Sequence, residues 1–129
     1  MTRYLSAAQV LFIHARLTDT TGGDHLLRGV GLLASAVARP RAVFAGGDLY
    51  PSLEVKAAAL MQSLILNHPF LDGNKRTGIT AAALFLLGNG RGLTADNAEL
   101  ERFTYAVTNG QMGLDKMALW FGANATAAL

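Results

Sequence analysis

Apolar side chains recur along most of this chain at three- and four-residue spacing, the signature of helices with one buried face. Ser6 with Gln9 forms a capping-box pattern, and Val10, Ile13, His14 and Leu17 then share a face, which predicts a helix over residues 6–17. Thr18 to Gly23 has turn chemistry. Leu26, Leu27, Val30, Leu33 and Val37 predict a second helix, weakened at its start by Gly29 and Gly31 and stopped by Arg39-Pro40. Between Ala42 and Pro51, two short β-type patches, Val43-Phe44 and Leu49-Tyr50, flank Ala45-Gly46-Gly47-Asp48; they predict a small hairpin or flap, the only strand pair expected. From Glu54 to Asn67 the positions Ala57, Leu60, Met61, Leu64 and Ile65 follow helical spacing, and Pro69 pushes His68 out of helical geometry. A helix from Asn74 to Asn89 follows, apolar almost all round after Arg76 and closed by Gly90, and is expected to be the central, most buried one. Asp96 with Glu99 caps a helix carrying Leu100, Phe103 and Val107, and Leu114, Met117, Ala118 and Phe121 mark a last short one. The expected fold class is all-α, a compact helical bundle around a central buried helix with one small β-hairpin flap. Residues 1–129 are expected to form a single domain.

Composition narrows this only a little. With 51% hydrophobic and 16% charged residues the chain reads as globular rather than disordered or coiled-coil. The longest nearly apolar run, Ile79 to Leu87, is about half the roughly 20 residues of a membrane span, so no membrane association is expected. The N-terminal stretch carries Gln9 and His14 and lacks a small-residue cleavage site, which argues against a secretory signal and for a cytoplasmic protein. The absence of cysteine excludes disulfides and thiolate metal sites. A net charge of +2 is too small to point to direct nucleic-acid binding.

The chemistry is concentrated in residues 68–78, His-Pro-Phe-Leu-Asp-Gly-Asn-Lys-Arg-Thr-Gly. An imidazole, with an ordinary pKa of about 6.5, suits proton removal from a hydroxyl near neutral pH, which makes His68 the candidate base. Asp72 offers the single hard carboxylate that Mg²⁺ accepts when water and phosphate supply its other ligands. Gly73, Asn74, Lys75, Arg76 and Thr77 open a helix; its free N–H groups, with the two cations, form a candidate phosphate cradle. Cations at a helix N-terminus oppose the dipole, which favours a bound anion over a merely solvated turn. The spacing is neither a Walker A loop nor a calcium loop. Plainer roles are expected elsewhere: packing or hydrogen bonding for His14, a surface position for His25, surface charge for Arg28, Arg39 and Arg41, and a capping role for Asp72 beside its metal role.

This stretch resembles the signature of the Fic/Doc family, HxFx[DE]GN[GK]RxxR, in the form favoured by its Doc, or death-on-curing, branch. Gly22-Gly23, Gly31 to Pro40, Tyr50-Pro51, Lys56-Ala57-Ala58 and Asn89-Gly90 are also similar to Doc-type sequence, so the likeness covers most of the chain. The resemblance implies that His68 activates a target hydroxyl, that Asp72 binds Mg²⁺, that Gly73 to Arg76 hold the phosphates of ATP, and that Phe70 is buried to anchor the loop. Lys75 in place of a second glycine and Ile79 in place of a final arginine depart from the broader Fic pattern and turn the expectation from AMP transfer to phosphoryl transfer. The Doc branch is associated with toxins that phosphorylate elongation factor Tu and halt translation, restrained by a Phd-type antitoxin, with the flap as the docking edge for the target. The self-inhibitory pattern [ST]xxxE[GN] of some family members does not occur here. Fic-type AMP transfer and a catalytically silent binding module remain the alternatives.

Overall fold

The computed structural model describes residues 1–128. Among them are six α-helices: α1 Ala7–Thr21, α2 Val30–Ala38, α3 Leu53–Asn67, α4 Asn74–Gly88, α5 Asn97–Thr108 and α6 Leu114–Ala123. The expected mostly-α architecture is what the chain adopts. No helix among the described residues is long and apolar enough to cross a membrane.

Two boundaries move for identifiable reasons. The first helix continues through the threonines to Thr21, because the hydroxyls of Thr18, Thr20 and Thr21 donate back to carbonyls three or four residues earlier. Gly22, at φ +75°, then closes it with an N–H···O bond to Thr18. The second helix begins at Val30 rather than Leu26, since residues 26–29 are drawn into extended pairing: Arg28 N and Gly29 N donate to Pro69 O, Leu71 N donates to Leu26 O, and Leu27 faces Phe70 in an antiparallel bridge.

The hairpin is tighter than expected. β1, Val43–Phe44, pairs antiparallel with β2, Gly47–Asp48, through a two-residue turn in which Ala45 and Gly46 both have positive φ (51° and 85°). Such a turn matches the natural twist of the strands, and it leaves Leu49-Tyr50 beyond the second strand rather than forming it. A second pair was not expected: β3, Arg91–Leu93, runs antiparallel to β4, Ala125–Ala127. Arg-Gly-Leu and Ala-Thr-Ala carry little β-branched or aromatic signal, and the partners are more than thirty residues apart.

The central helix is α3, not α4. From Lys56 to Met61 every side chain of α3 is buried, and α2, α4, α5 and α6 all pack on it. α4 keeps an outer face, with Leu84 42% and Leu87 53% exposed. Three consecutive alanines, Ala57 to Ala59, let the neighbours approach α3 on all sides. On α4, Gly78 serves the same end, as a Cβ there would lie 3.0 Å from Ile65 Cγ1 and 3.3 Å from Met61 O.

Lys56 lies within this core at 1% exposure, a buried charge that no local pattern announces. Its ammonium donates to Asp48 Oδ2 at 2.9 Å and to the carbonyl of Tyr50, and lies 5.8 Å from the centre of the Tyr4 ring. Asp48 belongs to the second strand of the flap and Tyr50 to the segment that follows it, so one buried cation ties the hairpin to the body. Arg39, expected as surface charge, is the second tie. It donates to the Tyr50 hydroxyl (3.0 Å), to Gln62 Oε1 (2.7 Å) and to Ser63 Oγ (3.0 Å).

At the other end of the molecule Trp120 stacks on Phe103 with centroids 3.7 Å apart, and its indole N–H donates to Glu99 Oε1 at 3.0 Å. That hydrogen bond, with those from Arg102, holds the Glu99 carboxyl below the ordinary glutamate value. A depressed carboxylate contributes stability that is present above its unfolded pKa and lost as pH falls through the folded one. The fluorescence of Trp120, the single tryptophan, is expected to report this in an acid titration: a midpoint below that of an ordinary glutamate, removed in Glu99→Gln.

Candidate active site

His68 ends α3 in the left-handed conformation, φ +48° and ψ +58°, as the following Pro69 requires the chain to leave the helix. The ring is exposed, in the place the sequence predicted for it. Residues 69–73 then form a loop held from three directions. Residues 26–29 pair with its backbone on one side, as described above. From α1, buried His14 stacks on Phe70, ring centroids 3.7 Å apart and planes 5° from parallel, and its Nε2–H donates to Asp72 O at 2.8 Å. From α4, Asn74 turns its amide back into the loop, where Oδ1 accepts from Phe70 N (3.0 Å) and Nδ2 donates to Phe70 O (2.8 Å). Phe70 is the buried anchor expected of it.

These bonds revise two of the expected phosphate contacts. The Asn74 side chain is committed to Phe70, so only its backbone N–H faces outward. Thr77 is fully buried with its hydroxyl unpartnered, and its N–H donates to Gly73 O within the helix at 2.9 Å. Thr77 therefore supports α4 from inside and is not part of a cradle. His25 is at the surface as expected, beside Asp19 and Thr18. His14 is packed, also as expected, but its contact with Asp72 O gives it a hold on the loop that periodicity could not reveal.

What remains at the helix start suits an anion. Gly73, at φ +80°, is an N-cap without a side-chain acceptor, and the N–H groups of Asn74, Lys75 and Arg76 precede the first intrahelical bond. Asp72 does not cap the helix itself; its Oδ1 accepts from Gly73 N at 2.8 Å. Its Oδ2 points at Gly23, where a Cβ would come within 2.7 Å. A cavity of about 860 Å³ opens here, lined on one wall by Asp72, Lys75 and Arg76, and on the facing wall of α5 by Glu101 and Tyr105. Its volume exceeds that of a nucleoside several-fold. His68 is not among the lining residues.

A divalent metal fits this donor set in one way only. No group of three or more His, Cys, Asp or Glu side chains gathers among the described residues, so an ion at Asp72 would take one protein carboxylate and fill its remaining positions with water and phosphate oxygens. That is the usual habit of Mg²⁺.

The model of the Fic/DOC family matches residues 4–86, a span that includes α1, the flap, α3 and the loop just described. The chain belongs to the Fic/DOC family. Within this family it is similar to the toxin Doc of Mycolicibacterium smegmatis, with 50% identity over 96 residues that cover 74% of this chain and 72% of the relative. It is also similar to the protein kinase doc of Escherichia phage P1, with 28% identity over 116 residues covering 90% of both chains. These relatives place it in the Doc branch of Fic/DOC proteins.

Proposed function

We propose that this Fic/DOC protein is a Doc-like toxin that transfers the γ-phosphoryl group of ATP to a hydroxyl of elongation factor Tu in the cytoplasm, and that a Phd-type antitoxin restrains it. The observation that carries the reading is the N-terminus of α4, free of a side-chain cap, whose Lys75 and Arg76 line one cavity with Asp72. On this reading the nucleoside occupies that cavity, the phosphates lie over the helix start, and the terminal phosphate extends toward the imidazole. Such an arrangement would favour transfer of the terminal group. Ile79 also lines the cavity where the broader Fic pattern has its final arginine, which removes a cation that would hold the terminal phosphate away from the base.

In the reaction the hydroxyl oxygen of the target attacks the γ phosphorus in line, the bond to the β–γ bridging oxygen breaks, and ADP leaves. His68 takes the hydroxyl proton. In the free protein Nδ1 of His68 lies 3.4 Å from Asn74 Nδ2, whose orientation is fixed by Phe70, so Nδ1 presents its lone pair and Nε2 carries the hydrogen of the neutral ring. A contact of that length holds the ring weakly and yields when a hydroxyl arrives. The N–H groups of Asn74, Lys75 and Arg76 and the two cationic side chains bind the phosphate oxygens and stabilise charge as it shifts to the leaving group. Asp72 would hold Mg²⁺, which when bound neutralises phosphate charge. The flap, with Val43, Phe44 and Leu49 exposed, presents an edge to which an extended segment of the target can add.

Incubation with elongation factor Tu, Mg²⁺ and ATP labelled at either the γ or the α phosphate tests the reading. Label on the factor only from the γ position supports phosphoryl transfer. Label from the α position replaces it with AMP transfer, and no label from either leaves a binding module.

A further inference from the structure

Arg28 lies forty residues before His68, outside the motif, and reaches the end of α3 with both arms of its guanidinium. Nε donates to His68 O at 2.7 Å and Nη2 to Asn67 O at 2.7 Å, while its own backbone N–H donates to Pro69 O at 2.6 Å. A helix that ends on a left-handed residue ordinarily closes with N–H groups from that residue and the next, bonded back to the last turn. Here the next residue is Pro69, which has no N–H, and the left-handed one is His68 rather than glycine. The end of α3 therefore cannot complete its usual closure, and donors must come from elsewhere in the chain. Arg28 supplies them at two successive carbonyls, one of which belongs to His68.

We infer that Arg28 is a positioning residue that fixes the backbone of His68 and thereby the reach of its imidazole. The inference rests on the reading of His68 as the base. A planar guanidinium can span the two carbonyls as a fork, whereas lysine, a single point of donation, can serve one at a time. Neutral, shorter glutamine can reach neither in the same geometry.

The test compares the full chain with Arg28→Gln and Arg28→Lys. The imidazole ¹H–¹³C spectrum reports the ring, calorimetry the affinity for Mg²⁺·ATP, and kinetics with elongation factor Tu the turnover. In Arg28→Gln the His68 resonance is expected to shift while those of His14 and His25 stay in place. Turnover is expected to fall about ten- to a hundredfold, the scale of a small misplacement of a reacting group. Mg²⁺·ATP affinity should stay within about twofold, since Arg28 touches no residue of the cradle, and Arg28→Lys should recover part of the turnover. An unmoved His68 resonance in Arg28→Gln overturns the inference whether or not the wild type transfers phosphate, so its failure is distinct from failure of the kinase reading. A loss of turnover matched by equal loss of ATP affinity, with lysine no better than glutamine, also overturns it, because that pattern belongs to a purely structural cap.

Discussion

Replacing His68 with alanine is expected to lower phosphoryl transfer by about 10²- to 10⁴-fold, the usual contribution of a positioned base, while Mg²⁺·ATP still binds. The fold should survive, because the ring is exposed and, among the described residues, its one side-chain hydrogen-bond contact is the long one to Asn74. Stability should stay within roughly 1 kcal/mol of wild type, as for most changes at exposed positions. Transfer assays together with chemical denaturation check both halves. Growth arrest in bacteria that persists undiminished in His68→Ala would mean that the chain acts by binding rather than by catalysis.

The largest expected loss of stability is at Lys56. Truncation to alanine empties the space of a fully buried side chain and leaves the Tyr50 carbonyl without its donor, while the half-exposed Asp48 carboxylate returns to water; unfolding by denaturant is expected to show a loss of about 2–5 kcal/mol. Asp48→Asn keeps a hydrogen-bond acceptor for the ammonium on the half-exposed side of the pair and should cost less than half as much. Equal effects for the two changes would show that the pair carries little and that the flap is held mainly by Arg39.

The helices were legible because their apolar spacing is regular and two of their caps are explicit: Ser6 and Asp96 each accept the hydrogen bond expected of an N-cap. Tertiary contacts overrode local pattern where the two conflicted. Leu26 and Leu27 have helical spacing, yet the loop at Pro69–Leu71 claims their backbone for pairing. α4 has the more continuous apolar run, yet α3 is the helix on which α2, α4, α5 and α6 all pack. Arg39 read as surface charge since nothing local announces Tyr50, Gln62 and Ser63 as its partners, and Lys56 likewise carries no local sign of Asp48. At the site, residue types singled out His68, Asp72 and the start of α4, which the fold brings to the loop between α3 and α4 and its end. What they could not reveal was direction: Asn74 turns inward to Phe70, Thr77 is sealed in the core, and His14 and Arg28 reach the loop from distant segments.

The hairpin is only two residues to a strand, and this brevity limits how firmly anything can be gripped there. An edge so short offers a few main-chain hydrogen bonds, each worth about 0.5–1.5 kcal/mol net, so a strand that pairs with it is soon released. It is also too short a template for open-ended stacking of copies. On the proposed function, a weak hold would suit an agent that visits many targets in turn, because rapid departure, rather than tight capture, lets a handful of molecules work through a large population.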